Sequence, residues 1–188
     1  MSKVLFVNAC VREQSRTLKL ARFVLKKLGQ EVDEVRVFDT ALYPLDAQRM
    51  ADRDAFCASK DFAHPMFDLG KQFKKAETIV VAAPYWDLMF PASLKSYLET
   101  ITVNDLTFTY DEHGHPISLC NGKKLIFVTT SGGPIHFNFG FDYLSAMAKI
   151  FFGIKDVKCI KAECLDIEGA DVEGILNQVK ESLLTNTL

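Results

Sequence analysis

Three stretches of this chain, residues 4–7, 78–83 and 124–130, are apolar at nearly every position rather than at every second one. A strand wetted on one face alternates, so a continuous run predicts a strand covered on both faces, as in the interior of a parallel sheet. Each run leads through a loop into apolar residues at helical spacing: Leu18, Ala21, Leu25 and Leu28; then Leu94, Tyr97, Leu98 and Ile101; then a helix over 141–152 closed by Gly153. Two further stretches, around Val35 and over 157–165, alternate with charged residues and read as sheet edges. Five strands with helical crossovers fit an α/β, doubly wound parallel sheet of order 2-1-3-4-5. Such sheets keep their ligands beyond the carboxyl ends of the strands, here between the first and third.

Local signals divide the rest. Ser15 is a candidate N-cap, Gly29 a helix stop, and Pro91 suits a first helical position because its missing N–H would have no partner there. Residues 39–75 exceed what one crossover needs and predict an insertion with helices near 48–60 and 66–75, broken at His64-Pro65. Over 106–119, Phe108 and Tyr110 alternate with threonines before the turn His113-Gly114-His115-Pro116, which predicts an inserted β-hairpin. Its two histidines lack a third ligand at useful spacing, so no metal is expected. A last helix is expected over 171–184, with Val172, Ile175, Val179 and Leu183 on one face.

The 188 residues, 48% apolar with a formal net charge of −2, are enough for one domain over 1–188 with a full core. No run reaches the length of a membrane span, and the amino terminus enters a strand without signal-peptide architecture. Five scattered cysteines without a CxxC pair read as reduced thiols, which points to the cytoplasm. With no basic excess, nucleic acid is not an expected partner.

Chemistry concentrates in three loops. The first, residues 8–17, lacks GxGxxG and GxxxxGK[ST] but carries Arg12, Ser15, Arg16 and Thr17 at a helix start, where N–H groups and the dipole favour a phosphate and guanidinia could neutralise it. Ordinary capping with solvated arginines is the competing reading. The second, Pro84, Tyr85, Trp86, Asp87 and Leu88 with Met89 and Phe90, holds the only Trp; it suits a flat ligand, or it caps the core or fills a subunit contact. The third runs from Thr130 through Ser131, Gly132 and Gly133 to His136. Its glycines would let backbone N–H groups approach a ligand, although Ser-Gly-Gly-Pro is also a common turn.

In this order the motifs R-x-x-S-x-T, P-x-W-D-L-x-x-P-x-x-L-K-x-Y, FTYDEHG and TSGG resemble the flavodoxin-like NAD(P)H:quinone oxidoreductases and FMN-dependent NADH azoreductases over nearly the whole chain. The resemblance implies a flavodoxin-like fold and FMN held at a homodimer interface. It also implies electrons passed from NADH or NADPH to a quinone, an azo compound or a related acceptor. By position, Ser15 and Thr17 with Arg12 or Arg16 match the phosphate ligands, 84–88 the ring loop, and Ser131 to Gly133 the donors to the ring's polar edge.

Two departures stand out. Ala9 and Cys10 replace serines that often follow the first strand, and Asp87 stands where azoreductases carry Asn, so a carboxylate near the ring would oppose negative charge there. His136 is a candidate donor to a developing anion, or a loop histidine that bonds backbone. A flavodoxin-like electron carrier and a non-catalytic FMN-binding module remain the alternatives to an enzyme. The mild charge weakens the first, since docking to redox partners would favour a strongly acidic surface.

Overall fold

The computed structural model describes residues 4–185; residues 1–3 and 186–188, the ends of the expected domain, lie outside the described residues. β1 (Val4–Asn8) is buried at all five positions and is flanked by β3 (Thr78–Ala82), which pairs in turn with β6 (Lys124–Thr130). β2 (Val32–Arg36) and β7 (Asp156–Ala162) form the edges, giving a five-stranded parallel sheet of order β2-β1-β3-β6-β7. Counted over these five strands alone the order is 2-1-3-4-5. The intervening numbers belong to the hairpin β4 (Phe108–Tyr110) and β5 (Pro116–Ser118), a separate antiparallel pair.

The continuous apolar runs are explained by two cores, one on each face. Leu5, Val7, Ile79, Val81, Leu125 and Phe127 pack with α4 (Ala92–Ile101) and α5 (Phe139–Ile150), while Val4, Phe6, Val80, Ala82, Ile126 and Val128 pack with α1 (Arg16–Leu28) and α6 (Val172–Thr185). Each fully buried large side chain contributes roughly 1.5–3 kcal/mol of transfer free energy.

Several boundaries differ from the sequence reading. β2 ends before Val37, although the Val37 N–H still donates to Asn8 O at 2.9 Å. α4 starts at Ala92, so Pro91 is its N-cap and not its first helical residue. α5 starts two residues early because Asn138 caps it, accepting the Phe141 N–H at 3.0 Å. The insertion holds α2 (Ala47–Ala58) and α3 (Asp68–Lys75), joined through a 3-10 turn at Pro65–Phe67 that His64 caps.

Candidate functional site

The loops after β1, β3 and β6 meet at the carboxyl ends of their strands around a cleft of about 540 Å³. Arg12, Ser15, Arg16, Thr17, Pro84, Tyr85, Trp86, Thr130, Ser131 and Gly132 line it, together with Val11, Gln14, Leu165 and Asp166. Asp87, Leu88, Gly133 and His136 are not among the lining residues.

Asn8 fixes the exit of β1. Its amide donates to Glu34 Oε1 at 2.8 Å, its Oδ1 accepts the Cys10 N–H at 3.0 Å, and Arg22 grips Glu34 from the other side. Burial pushes the Cys10 thiol up to about 11, which keeps it protonated and unreactive at neutral pH. Ser15 Oγ accepts the Leu18 N–H at 3.3 Å, as an N-cap does. The first-turn N–H groups have no acceptor within the helix and, with the dipole and the exposed Arg12, make this end attractive to an anion. The Thr17 hydroxyl does not project freely into the cleft: it is buried 2.6 Å from Thr130 Oγ1. Arg16 is also engaged, donating to Asp166 Oδ1 at 2.6 Å and Leu165 O at 3.0 Å.

In the second loop, Tyr85 is held at both ends, its N–H on Thr130 O at 3.0 Å and its hydroxyl on Phe137 O at 2.7 Å. Trp86 and Met89 exchange both backbone hydrogen bonds across Asp87 and Leu88, whose φ values of 51° and 67° are those of a primed two-residue turn. The turn leaves Trp86 and Leu88 exposed and sends Met89 and Phe90 inward. Of the loop's large apolar side chains, Met89 and Phe90 are thus covered within the subunit. Gly140 permits this packing, because a Cβ there would lie 2.9 Å from Phe90 Cδ1.

The third loop is laddered to the segment after β7: Leu165 N–H donates to Ser131 O, Asp166 N–H to Gly132 O and Cys164 N–H to Gly133 O. Among the described residues the N–H groups of Gly132 and Gly133 meet no protein acceptor, and Gly133 faces open space. Ile135 N–H donates to Glu163 Oε1 at 2.7 Å. Burial pushes the Glu163 carboxyl up, but this bond and Lys161 outweigh it and hold the group below the usual range. His136 is exposed nearby. The hairpin histidines His113 and His115 are exposed around Asp111, and among the described residues no cluster could hold a metal ion.

Sequence reasoning missed Val11, Gln14, Leu165 and Asp166. The last two carry no local motif. Their signal was topological, since any residue just past an edge strand emerges on the ligand side.

The arrangement combines an anion-attracting helix start, an aromatic wall and free backbone donors in one cleft. Residues 2–186 match the family described as flavodoxin-like fold. The chain is 34% identical over 186 residues to the FMN-dependent NADH:quinone oxidoreductase of Coprothermobacter proteolyticus, covering 92% of each. It is 33% identical over 195 residues to FMN-dependent NADH:quinone oxidoreductase 2 of Clostridium acetobutylicum, covering 96% of each. Among solved structures, an azoreductase of Bacillus anthracis superposes with a TM-score of 0.81 at 24% identity, over 97% of this chain and 96% of that one, a likeness of fold. The chain belongs to the flavodoxin-like family, together with these FMN-dependent NADH:quinone oxidoreductases.

Proposed function

We propose that this protein is an FMN-dependent NAD(P)H oxidoreductase that reduces quinones, azo compounds or similar small acceptors. The observation that carries the reading is the cleft in which the α1 start with Ser15 and Arg12, the Tyr85-Trp86 wall and the Gly132 N–H converge. These residues fit a flavin mononucleotide in kind: an anion site, a flat apolar surface and donors for a polar ring edge, with one compact phosphate site and nothing built for an adenosine. FMN supplies a ring that accepts a hydride from the nicotinamide and delivers reducing equivalents to the acceptor.

The chain's own residues do the positioning. Helix α1 and Arg12 hold the phosphate, the primed turn at 86–89 sets the depth of the cleft wall, and the laddered glycine loop aims its N–H groups without reorganisation. Asp87 is exposed at the turn and outside the cleft lining, so its carboxylate acts on the ring only over distance. NADH is the favoured reductant, by the names of the relatives. We assign the working form as a cytoplasmic homodimer. Exposed Trp86 and Leu88, with the stacked pair Phe137 and Phe139 at 5.7 Å, supply the apolar surface for a second copy.

The test is direct. Cofactor released by heating is expected to be FMN, and steady-state turnover of NADH with a soluble quinone is expected without any added protein partner. Bound FMN without such turnover would favour the electron carrier. No flavin after reconstitution would remove the reading altogether.

A further inference from the structure

Asp166 supplies the only carboxylate among the residues lining the cleft, and it stands where an anion is expected to bind. Its backbone N–H is fixed on Gly132 O at 2.9 Å, and a Cβ added to Gly132 would come within 2.4 Å of its Oδ2, so only glycine at 132 lets the carboxylate lie this close. Its Oδ1 takes the Arg16 guanidinium at 2.6 Å, and the same nitrogen also donates to Leu165 O. Arg16 opens the helix whose start forms the anion site, so one of the two guanidinia there is already paired with a solvent-exposed carboxylate of its own chain.

We infer that Asp166 is a built-in competitor of the ligand's phosphate and sets the affinity of the cleft for that end of the cofactor. The inference rests on the flavin mononucleotide reading above. A phosphate carries about −1.5 to −2 at neutral pH. Against it the wall offers Arg12, Arg16 and the helix start, less the charge of Asp166. The carboxylate therefore acts twice, by occupying donors the phosphate could use and by like-charge repulsion that water partly screens. Both effects vanish for a ligand without a phosphate, which separates this role from that of an acceptor for the sugar-alcohol chain or of a simple brace between loops.

The experiment measures equilibrium binding of FMN and of riboflavin to flavin-free protein, by quenching of flavin fluorescence. It uses wild type, Asp166→Asn, Arg16→Gln and the double variant, with thermal melts to confirm folding. Asp166→Asn is expected to bind FMN about three to thirty times more tightly and riboflavin as wild type does, and the gain should shrink when Arg16 is also replaced. Equal weakening of both ligands would overturn the inference in favour of a brace or a hydroxyl acceptor, and unchanged FMN binding would overturn it outright. Wild type that binds riboflavin as well as FMN would mean that the phosphate contributes nothing here, which sinks the inference while leaving a flavin cleft. Wild type that binds neither flavin sinks the inference and the flavin reading together. If Asp166→Asn melts poorly, Asp166→Ala and Asp166→Ser must show the same selective gain for FMN, or the inference fails.

Discussion

The hydroxyls of Thr17 and Thr130 lie 2.6 Å apart, both residues buried, and join the first turn of α1 to the carboxyl end of β6 at the floor of the cleft. Replacing one partner strands the other as an unpaired buried hydroxyl, which costs roughly 1–3 kcal/mol, whereas replacing both removes the pair and its penalty together. Thr17→Val and Thr130→Val are each expected to lower stability by about that amount in urea unfolding, with the double variant losing clearly less than the sum. Additive losses would show that the pair is not coupled.

Leu88 holds a left-handed conformation, φ 67°, at the second central position of the turn between Trp86 and Met89, and it is 49% exposed. A non-glycine residue there costs about 1–2 kcal/mol, and Asn tolerates the conformation best after Gly. Leu88→Asn gives up only the half of the side chain that its own subunit covers. It is expected to stabilise the monomeric fold by about 0.5–1 kcal/mol, read as a rise of about 1–4 °C in melting temperature for a chain of this size. A fall would mean that the packing of Leu88, in its own subunit or against another, outweighs the strain.

These two sites also mark how far the sequence could be read. The sheet order was legible because two-sided burial and one-sided burial write different patterns, continuous over 78–83 and alternating around Val35. The direction of the second loop was not. Tyr85, Trp86, Met89 and Phe90 form an apolar string, and only the positive φ pair at Asp87 and Leu88 decides that the last two turn inward. Arg12 and Arg16 likewise read as equivalent cations four residues apart. The partner that distinguishes them, Asp166, is 150 residues away from Arg16 and follows an edge strand. Long-range polar pairing of this kind leaves no periodicity behind.

One buried and two half-buried thiols give the fold an alkaline weakness. Burial pushes Cys10, Cys120 and Cys159 from 9.0 up to about 11. Between those values the unfolded chain loses these protons and the folded chain keeps them, so the unfolded state binds fewer protons and stability falls as pH rises. The phenol of fully buried Tyr97 is raised by the same cause and acts in the same direction. Urea midpoints are expected to be lower at pH 10 than at pH 8. A variant with all three cysteines replaced by Ala should be weaker at pH 8 yet lose less over the interval, and an equal loss would assign the alkaline effect to other groups.

Trp86, Leu88, Phe137 and Phe139 are each between 42% and 62% exposed, on the second loop and at the entry to α5, which are tied by the Tyr85 hydroxyl to Phe137 O. Apolar surface of this kind favours burial against a second copy. Sedimentation at micromolar concentration is expected to give a dimer, and Phe137→Ser with Phe139→Ser should shift it toward monomer without unfolding the subunit. A wild-type monomer under those conditions removes the homodimer.

His136, the candidate donor to a developing anion, lies exposed and away from the residues lining the cleft, beside the carboxylate of Glu163. A general acid or an anion-stabilising donor must come within hydrogen-bond reach of the reacting oxygen. From its position in a single subunit, His136→Ala is expected to retain FMN and to leave reduction by NADH unchanged, with reoxidation by quinone slowed less than about threefold. Stopped-flow measurement of the two half-reactions separates the roles. A loss of about ten to a hundredfold confined to the quinone step would bring the imidazole to the acceptor. Equal loss in both half-reactions would instead mean that His136 holds the glycine loop in shape, acting on the cleft through Ile135 and Glu163.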